Sequence, residues 1–138
     1  LSSAASDVYK RQVSVARAVG LEPEMVFKTL VCKGASRGYY VFDIPVAENL
    51  DLKKAARAVG EKSVAMLPQK ELLPLTGYVH GGCSPVGMKK QFPTVFHETA
   101  ESLPQVAVSA GKIGYQVVCD PKDLMALLRA GTADLIVE

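Results

Sequence analysis

A short loop rich in glycine is the first candidate for a chemical role in this sequence. Residues 81–87, GGCSPVG, contain three glycines and one proline. Because glycine adopts positive φ and has no Cβ, such a loop can turn its backbone N–H groups toward a ligand. The loop would suit a phosphate, a carboxylate or a polarised ester carbonyl, and a simple tight turn would use the same residues. The Gly-Lys-Ser/Thr of a P-loop does not follow it.

A histidine and a cysteine at this loop raise the question of nucleophilic catalysis. His80 and Cys83 are three residues apart, a spacing that a Cys/His pair could use. On a strand that leads into a turn, however, this spacing does not reliably bring the imidazole against the sulfur, and no orienting carboxylate is close in sequence. We therefore favour the simpler interpretation, in which an exposed loop histidine lies beside a loop cysteine.

The cysteines of the chain predict neither a metal site nor a disulfide framework. The three thiols are widely spaced and form no CxxC pair, whereas zinc sites and disulfide-rich domains need closer or more numerous cysteines. Cys32 and Cys119 lie in apolar, strand-like runs, where free cysteine is typically a small buried hydrophobic residue. We expect reduced cysteines and no bound metal.

Two further features could bind a ligand. Lys28 interrupts the apolar run of residues 26–31. It either faces solvent or lies in a pocket, where burial would lower its pKa or a bound anion would hold it charged. Residues 109–114, SAGKIG, form a second glycine-rich turn between two predicted strands, although a plain hairpin would also explain it.

The elements that must position these residues are short and irregularly interleaved. Apolar and β-branched runs predict strands over residues 25–32, 38–44, 63–67, 78–80, 94–96, 106–108 and 115–119. Helical spacing and capping residues predict helices over residues 15–19, 51–60, 68–75 and 120–131. Because strands and helices do not alternate strictly, the sequence predicts an α+β domain with a mixed, curved sheet.

The composition fits one folded domain. The 138 residues are 49% hydrophobic and 22% charged, which argues against disorder and leaves little room for a second core. Residues 1–12 are Ser/Ala-rich and then polar, so we expect an appended or read-through segment there and a single domain over 13–138. No apolar stretch reaches the ~18 residues of a membrane-spanning helix, and the start lacks a secretory signal. We therefore expect a cytoplasmic protein without membrane contact.

Together these motifs resemble the YbaK/EbsC family of aminoacyl-tRNA deacylases, relatives of the editing domain of bacterial prolyl-tRNA synthetases. They occur in family order and span about residues 20–134. The similarity lies in VFKTL at 26–30, LDLKKA at 50–55, TGY at 76–78, GGCSPVGMKK at 81–90 and SAGKIG at 109–114.

The resemblance implies a trans-editing enzyme that hydrolytically releases a wrongly attached amino acid from tRNA, with cysteine on tRNA(Pro) as the leading substrate and no cofactor. Alanine or another small mischarged amino acid is the alternative within enzymes. A non-catalytic module that binds aminoacyl-tRNA or a nucleotide as a partner of prolyl-tRNA synthetase is the alternative outside them. The fold that the resemblance implies is a mixed sheet curled into a partly open barrel with flanking helices.

The resemblance also implies roles for particular residues. Lys28 matches the family's key lysine, which we take as the catalytic residue and expect to bind the terminal ribose or phosphate of the tRNA. Gln116 stands where well-known cysteine-releasing members have an aspartate, so the identity of the released amino acid stays open. The expected substrate-binding residues are Thr29, Gly81, Gly82, Cys83, Ser84, Pro85, Ser109 and Gly111.

The distribution of charge agrees with a tRNA ligand. The formal net charge is only +2. Residues 28–90, however, hold ten basic and five acidic side chains, whereas residues 91–138 hold three and six. A phosphate backbone would lie against the positive stretch. The basic side chains expected to contact it are Lys53, Lys54, Arg57, Lys89 and Lys90.

Overall fold

Seven strands and three α-helices form the part of the chain that the computed structural model describes, residues 21–138. The strands are β1 Phe27–Gly34, β2 Tyr39–Pro45, β3 Val64–Met66, β4 Thr94–His97, β5 Val106–Ser109, β6 Gln116–Cys119 and β7 Gly131–Ala133. The helices are α1 Leu52–Val59, α2 Gln69–Thr76 and α3 Pro121–Leu128, with 3₁₀ turns at Pro23–Met25 and Glu98–Ser102. The predicted segment 1–12 and the predicted helix over 15–19 lie outside the described residues.

The strands form two sheets. Five of them pair in the order β3-β1-β2-β4-β7, with antiparallel partners around β1 and parallel pairing of β4 with both β2 and β7. Strands β5 and β6 form a separate antiparallel hairpin. The predicted α+β class with a mixed sheet is confirmed. The expected barrel is wrong, because within residues 21–138 only a bridge between Val26 and Ala107 links the hairpin to the large sheet, which stays open.

The β1–β2 hairpin provides the frame on which the candidate site is built. Its turn lies between Gly34 and Gly38. The register pairs Lys28 with Ile44 and Thr29 with Asp43. Because successive side chains of a strand project from opposite faces, Lys28 and Thr29 lie on different sides of the sheet.

The two faces of the sheet pack against different layers. The Lys28 face packs against α1 and the C-terminal segment, in a buried cluster that includes Phe42, Ile44, Ala55 and Leu135. The Thr29 face packs against α2 and the 81–87 loop, in a buried cluster that includes Val31, Val41, Leu72 and Cys83. The 81–87 loop is therefore part of the layer that covers the Thr29 face.

Capping side chains begin two helices where the sequence predicts. Asp51 accepts hydrogen bonds from the backbone N–H groups of Lys53 and Lys54 at 3.0 and 3.1 Å, and Asp120 accepts one from Lys122 at 2.8 Å. These bonds satisfy N–H groups that have no partner within a helix. None of the helices between residues 21 and 138 combines the length and hydropathy needed to cross a bilayer.

One predicted helix end and one predicted strand were wrong. Helix α3 ends before a left-handed Arg129, with φ of 53°, and Gly131 begins β7 instead of stopping the helix. β7 has no sequence signal of its own, because its parallel pairing with β4 forms it. The predicted strand over 78–80 does not form, since Gly77 turns the chain at φ of 88° and the Tyr78 side chain bonds to the 81–87 loop.

Candidate active site

The two glycine-rich loops lie against each other. A Cβ added at Gly82 would stand 3.2 Å from the backbone nitrogen of Ile113 and 3.4 Å from the carbonyl carbon of Lys112. Backbone atoms do not swing aside as the tip of a flexible side chain does, so glycine is the residue that fits without displacing a loop. The structure therefore joins the 81–87 and 109–114 loops, which the sequence presents as separate candidates, into one site.

Tyr78 holds this pair of loops in place. Its hydroxyl donates a hydrogen bond to the Val86 carbonyl. A Cβ at Gly87 would lie 2.9 Å from the Tyr78 hydroxyl, and a Cβ at Gly111 would lie 2.9 Å from ring atom Cε1. Both glycines also have positive φ, 76° and 100°. Tyr78 was not predicted as a site residue, although the TGY motif contains it.

The serines of the two loops form turns. Ser84 Oγ accepts a hydrogen bond from the Val86 N–H at 3.2 Å, and Ser109 Oγ accepts one from the Gly111 N–H at 3.1 Å. Each bond closes a short turn between side chain and backbone, and the neighbouring Pro85 is fully buried. Within the described chain neither hydroxyl donates to a histidine or a carboxylate, so neither has the geometry of an activated nucleophile.

Lys28 lies in register with the second loop. Val26, two residues before it, forms a parallel bridge with Ala107, which is two residues before Ser109. Ser109 pairs in turn with Gln116 across the β5–β6 hairpin. Because paired residues project from the same face and side chains alternate along a strand, Lys28, Ser109 and Gln116 share one face.

The polar groups on this shared face are incompletely satisfied. Both polar atoms of the Gln116 amide are buried and have no hydrogen-bond partner between residues 21 and 138. Lys28 is half-buried, and burial lowers the pKa of its ammonium group, an effect that the charge of Glu48 opposes. A partly desolvated cation and an unpaired amide would both be stabilised by a polar or anionic ligand.

Thr29 faces the other side of the sheet, where its hydroxyl donates a hydrogen bond to Asp43 Oδ1. Asp43 is fully buried, and its Oδ2 has no hydrogen-bond partner in the part of the chain that the structure describes. Burial raises the pKa of Asp43 to about 7, and the Thr29 hydrogen bond opposes this rise. The Thr29 side chain thus lies under the 81–87 loop and not beside Lys28.

The Cys/His alternative is contradicted by the positions of the two side chains. His80 is exposed, whereas Cys83 is buried in the cluster beneath the 81–87 loop. Burial raises the pKa of the Cys83 thiol to about 12, and the charge of Asp43 acts in the same direction. A nucleophilic cysteine needs the opposite shift. Cys83 is therefore a structural residue of the loop.

The basic side chains expected along the tRNA are not equally available. Exposed side chains are those of Lys53, Arg57, Lys89 and Lys90. Lys54 is turned toward the protein, because its ammonium group lies 2.8 Å from Asp134 Oδ2 and donates to the Ile136 carbonyl at 2.9 Å. The Asp134 hydrogen bond is the main cause that raises the pKa of Lys54. Lys54 thus fastens α1 to the segment after β7.

A cavity of about 450 Å³ lies between the β5–β6 hairpin, α3 and the 81–87 loop, and its lining includes Ser84 and Ser109 from the two glycine-rich loops. Val108 and Val117 line it, and alternation places them on the hairpin face opposite Gln116. Lys28 does not line this cavity. Across residues 21–138 no group of three His, Cys, Asp or Glu side chains is placed to hold a metal ion.

Comparison with known proteins places this arrangement in a family. The sequence matches the family model of the aminoacyl-tRNA editing domain over residues 8–127. The chain belongs to this family. The editing domain is 47% identical over 122 residues to a protein of Enterococcus faecalis (strain ATCC 700802 / V583) named "Putative Cys-tRNA(Pro)/Cys-tRNA(Cys) deacylase EbsC". That match covers 88% of the chain and 74% of the relative, and it confirms the resemblance seen in the motifs.

Solved structures share the fold of this editing domain. One described as "Crystal structure of a putative trans-editing enzyme for prolyl tRNA synthetase" has a TM-score of 0.83 and 34% identity, and the match covers 92% of the chain and 80% of that structure. Another, from work on epitope backbone grafting onto scaffold proteins, has a TM-score of 0.85 and 34% identity, with 92% and 81% covered.

Replacing Gly82 by alanine should separate the two loops. The new Cβ would meet the backbone of Lys112 and Ile113, so we expect about a tenfold or greater loss of aminoacyl-tRNA hydrolysis with little change in melting temperature. Initial rates and thermal unfolding measure the two effects. Gly131→Ala is the matched control, because a Cβ there meets nothing within 4 Å. Equal activity of the two variants would contradict the importance of the loop contact.

The buried Asp43 should make stability depend on pH. Its pKa is raised from 3.8 to about 7, so between these values the folded protein keeps a proton that the unfolded chain has lost. The contribution of Asp43 to the free energy of unfolding is fully present below pH 3.8 and decreases as the pH rises toward 7. We expect the advantage of Asp43→Asn over wild type in unfolding free energy to increase by about 2–3 kcal/mol from pH 5 to pH 8.

Urea unfolding at pH 5, 6, 7 and 8 measures this difference. Glu98→Gln is the control, because it removes a carboxylate from an exposed position, and its effect should change little over the same range. A constant difference between wild type and Asp43→Asn at all four pH values would show that the carboxyl does not titrate as its burial demands.

Proposed function

We propose that this editing domain is a trans-editing deacylase that releases cysteine from tRNA(Pro). Its membership of the aminoacyl-tRNA editing family and the name of its Enterococcus relative support this function. The observation on which the proposal depends most is the shared face of Lys28, Ser109 and Gln116, where a partly desolvated cation lies in register with a loop that is packed against a second glycine-rich loop.

The site supports a reaction in which the protein supplies no nucleophile. An aminoacyl ester is already activated, so positioning of its carbonyl and stabilisation of charge on the ester oxygen are sufficient sources of rate. Ser84 and Ser109 are occupied as turn acceptors, and the raised pKa of Cys83 keeps its thiol protonated. Water, or in a cysteinyl substrate the substrate's own thiolate, would attack the carbonyl, and the tRNA 3′-hydroxyl would leave.

Lys28 is the residue we assign to the tRNA end. Burial lowers the pKa of its ammonium group, so the charged form is stabilised when a phosphate or an electron-rich ribose oxygen takes the place of the displaced water. Lys28 would in this way fix the terminal nucleotide, while the N–H groups of the joined loops would contact the aminoacyl group. Lys28 is then catalytic through its contact with the substrate, without transferring a proton.

The exposed basic residues give the tRNA a path to the site. Lys53 and Arg57 extend from α1, and Lys89 and Lys90 follow the 81–87 loop. Tyr115 is 65% exposed at the end of the second loop, with the Lys112 ammonium group 6.0 Å from its ring centroid. An exposed aromatic ring beside a cation is a suitable platform for an unpaired base of the tRNA end. Recognition of the whole tRNA we assign to a partner, prolyl-tRNA synthetase.

Editing of Ala-tRNA(Pro) is the second candidate, and one observation favours it. Gln116 presents a neutral amide on the Lys28 face, and its two polar atoms have no hydrogen-bond partner among residues 21–138. A neutral amide does not select a thiolate over a methyl group by charge, so Gln116 itself adds no electrostatic preference for cysteine. The ratio of the two activities decides between the candidates.

The decisive measurement is the release of labelled amino acid from Cys-tRNA(Pro) and Ala-tRNA(Pro). We expect wild type to release cysteine faster than buffer does, and Lys28→Ala to lose about a hundredfold in rate, since a charge-assisted contact of about 2–3 kcal/mol is removed. Lys33→Ala is the matched control, because Lys33 is an exposed lysine on the same strand. It should retain wild-type activity.

Each outcome of this assay has a distinct meaning. Faster release of alanine than of cysteine would replace the first candidate by the second. If neither label is released faster than in buffer, the non-catalytic binding module becomes the better account. Cys83→Ala should keep most of the activity, whereas a loss as large as that of Lys28→Ala would restore the thiol as a nucleophile.

Reversal of exposed charges tests the tRNA path. We expect Lys53→Glu combined with Arg57→Glu to weaken tRNA binding and to reduce the slope of log K against log salt by roughly 0.7–0.9 for each phosphate that the protein no longer neutralises. Lys122→Glu combined with Arg129→Glu changes the charge equally at exposed positions of the acidic C-terminal part, and it should leave the slope unchanged. Equal slopes for the two double variants would show that Lys53 and Arg57 of α1 do not contact the tRNA.

A further inference from the structure

Asp43 is a buried acid that the proposed reaction does not use. It lies within β2 on the face covered by the 81–87 loop, fully buried, with Oδ1 bound by the Thr29 hydroxyl and Oδ2 unpartnered among residues 21–138. An ionised carboxylate in such a place is costly, and an aliphatic side chain would fill the same space without that cost. Because a buried carboxyl group is costly, we expect Asp43 to have a role other than stabilising the fold.

The location of Asp43 connects the two halves of the site. Its hydrogen-bond donor, Thr29, directly follows Lys28 on β1. Cys83 packs in one buried cluster with Val31 and Val41, which share the sheet face of Asp43, so the carboxyl lies beneath the 81–87 loop.

We propose that Asp43 is a positioning residue that holds the 81–87 loop in its active place relative to Lys28 while its carboxyl is neutral, and that loosens the loop when it ionises. This inference rests on the proposed deacylase function. Ionisation would leave an uncompensated charge beneath the loop, and the simplest relief is movement of the loop to admit water.

The surroundings of Asp43 decide when this ionisation occurs. Thr29 faces it from β1, Cys83 from the loop, and Phe96 is its paired residue on β4. None of these groups is charged at neutral pH, and no cationic side chain in the described part of the chain shifts the acid. Burial therefore sets the pKa at about 7, with the Thr29 hydrogen bond opposing it. The carboxyl would titrate in the neutral range.

Deacylation rates of wild type and Asp43→Asn, measured from pH 6 to pH 8.5, test the role. Asparagine keeps an oxygen for Thr29 but cannot ionise. Taking the ratio of kcat/KM for the two proteins cancels the pH dependence of the ester and of a cysteinyl thiol. We expect a ratio of Asp43→Asn to wild type near one at pH 6 that rises to about tenfold at pH 8, one unit above the pKa. A ratio constant over the whole range would overturn the proposal.

Thr29→Val provides a second variant with a predicted direction. Removal of the hydroxyl takes away the hydrogen bond that lowers the pKa of Asp43, so the inflection in the rate ratio should move to higher pH. Thr29→Ser restores a donor and should return the inflection toward that of wild type. An inflection that stays in place in Thr29→Val would show that it does not arise from Asp43.

An NMR titration separates this proposal from the proposed function. The amide signals of Gly81 and Gly82 are followed from pH 5.5 to 8.5 in His80→Gln, which removes the neighbouring imidazole, and in the same variant with Asp43→Asn. We expect a transition near pH 7 that only the protein with Asp43 shows. Absence of this transition would overturn the proposed coupling between Asp43 ionisation and the 81–87 loop, even in an active deacylase. Its presence in a protein without deacylase activity would support the link and refute the function.

Discussion

The site depends on glycines at positions where any other residue would place a Cβ against a neighbouring loop or against Tyr78. Gly82 lets one loop rest on the backbone of the other, and Gly87 and Gly111 leave the space that the Tyr78 ring fills. A tyrosine ring has only two side-chain torsions, so enclosing it costs little entropy while it fixes two loops at once. The loops are in this sense a packed part of the domain and not a mobile appendage. Such rigidity suits a protein that works by orienting an ester.

Because side chains alternate between the two faces of β1, neighbouring residues of this strand have different roles. Lys28 lies on the face where the ligand is expected, and Thr29 lies on the buried face beneath the 81–87 loop. A one-residue shift of the register would exchange the two and bury the lysine. The register is fixed because the β1–β2 ladder continues without interruption from Phe27 to Lys33.

Local signals in the sequence were sufficient for most elements and for both loops. The Asp51 and Asp120 caps and the glycine-rich connection over 34–38 act within a few residues, so spacing alone reveals them. Contacts between distant segments were not visible. Strand β7 exists through its pairing with β4. The contact of the Lys54 ammonium group with Asp134, eighty residues later, likewise had no local signal in the sequence.

Two other residues of the site carry a signal in the sequence itself. Asp43 interrupts an apolar run that is buried throughout β2 from Val41 to Pro45, and a carboxylate in such a run is a candidate for function from its sequence context alone. Tyr78 stands in a short motif next to the loop that it supports. The open sheet could not have been predicted, because closure depends on how far the β5–β6 hairpin extends along β1.

The C-terminal segment also has a consequence for synthesis of the protein. Residues 131–138 supply β7, the bridge of Ile136 to Leu50, and the acceptor of the Asp51 N–H at 2.8 Å, the Leu135 carbonyl. The pairing of β4 with β7 therefore cannot form until residues 131–138 have left the ribosome, whereas the local β1–β2 hairpin can form early. Until then the nascent protein presents an unpaired β4 edge, and unpaired strand edges promote aggregation.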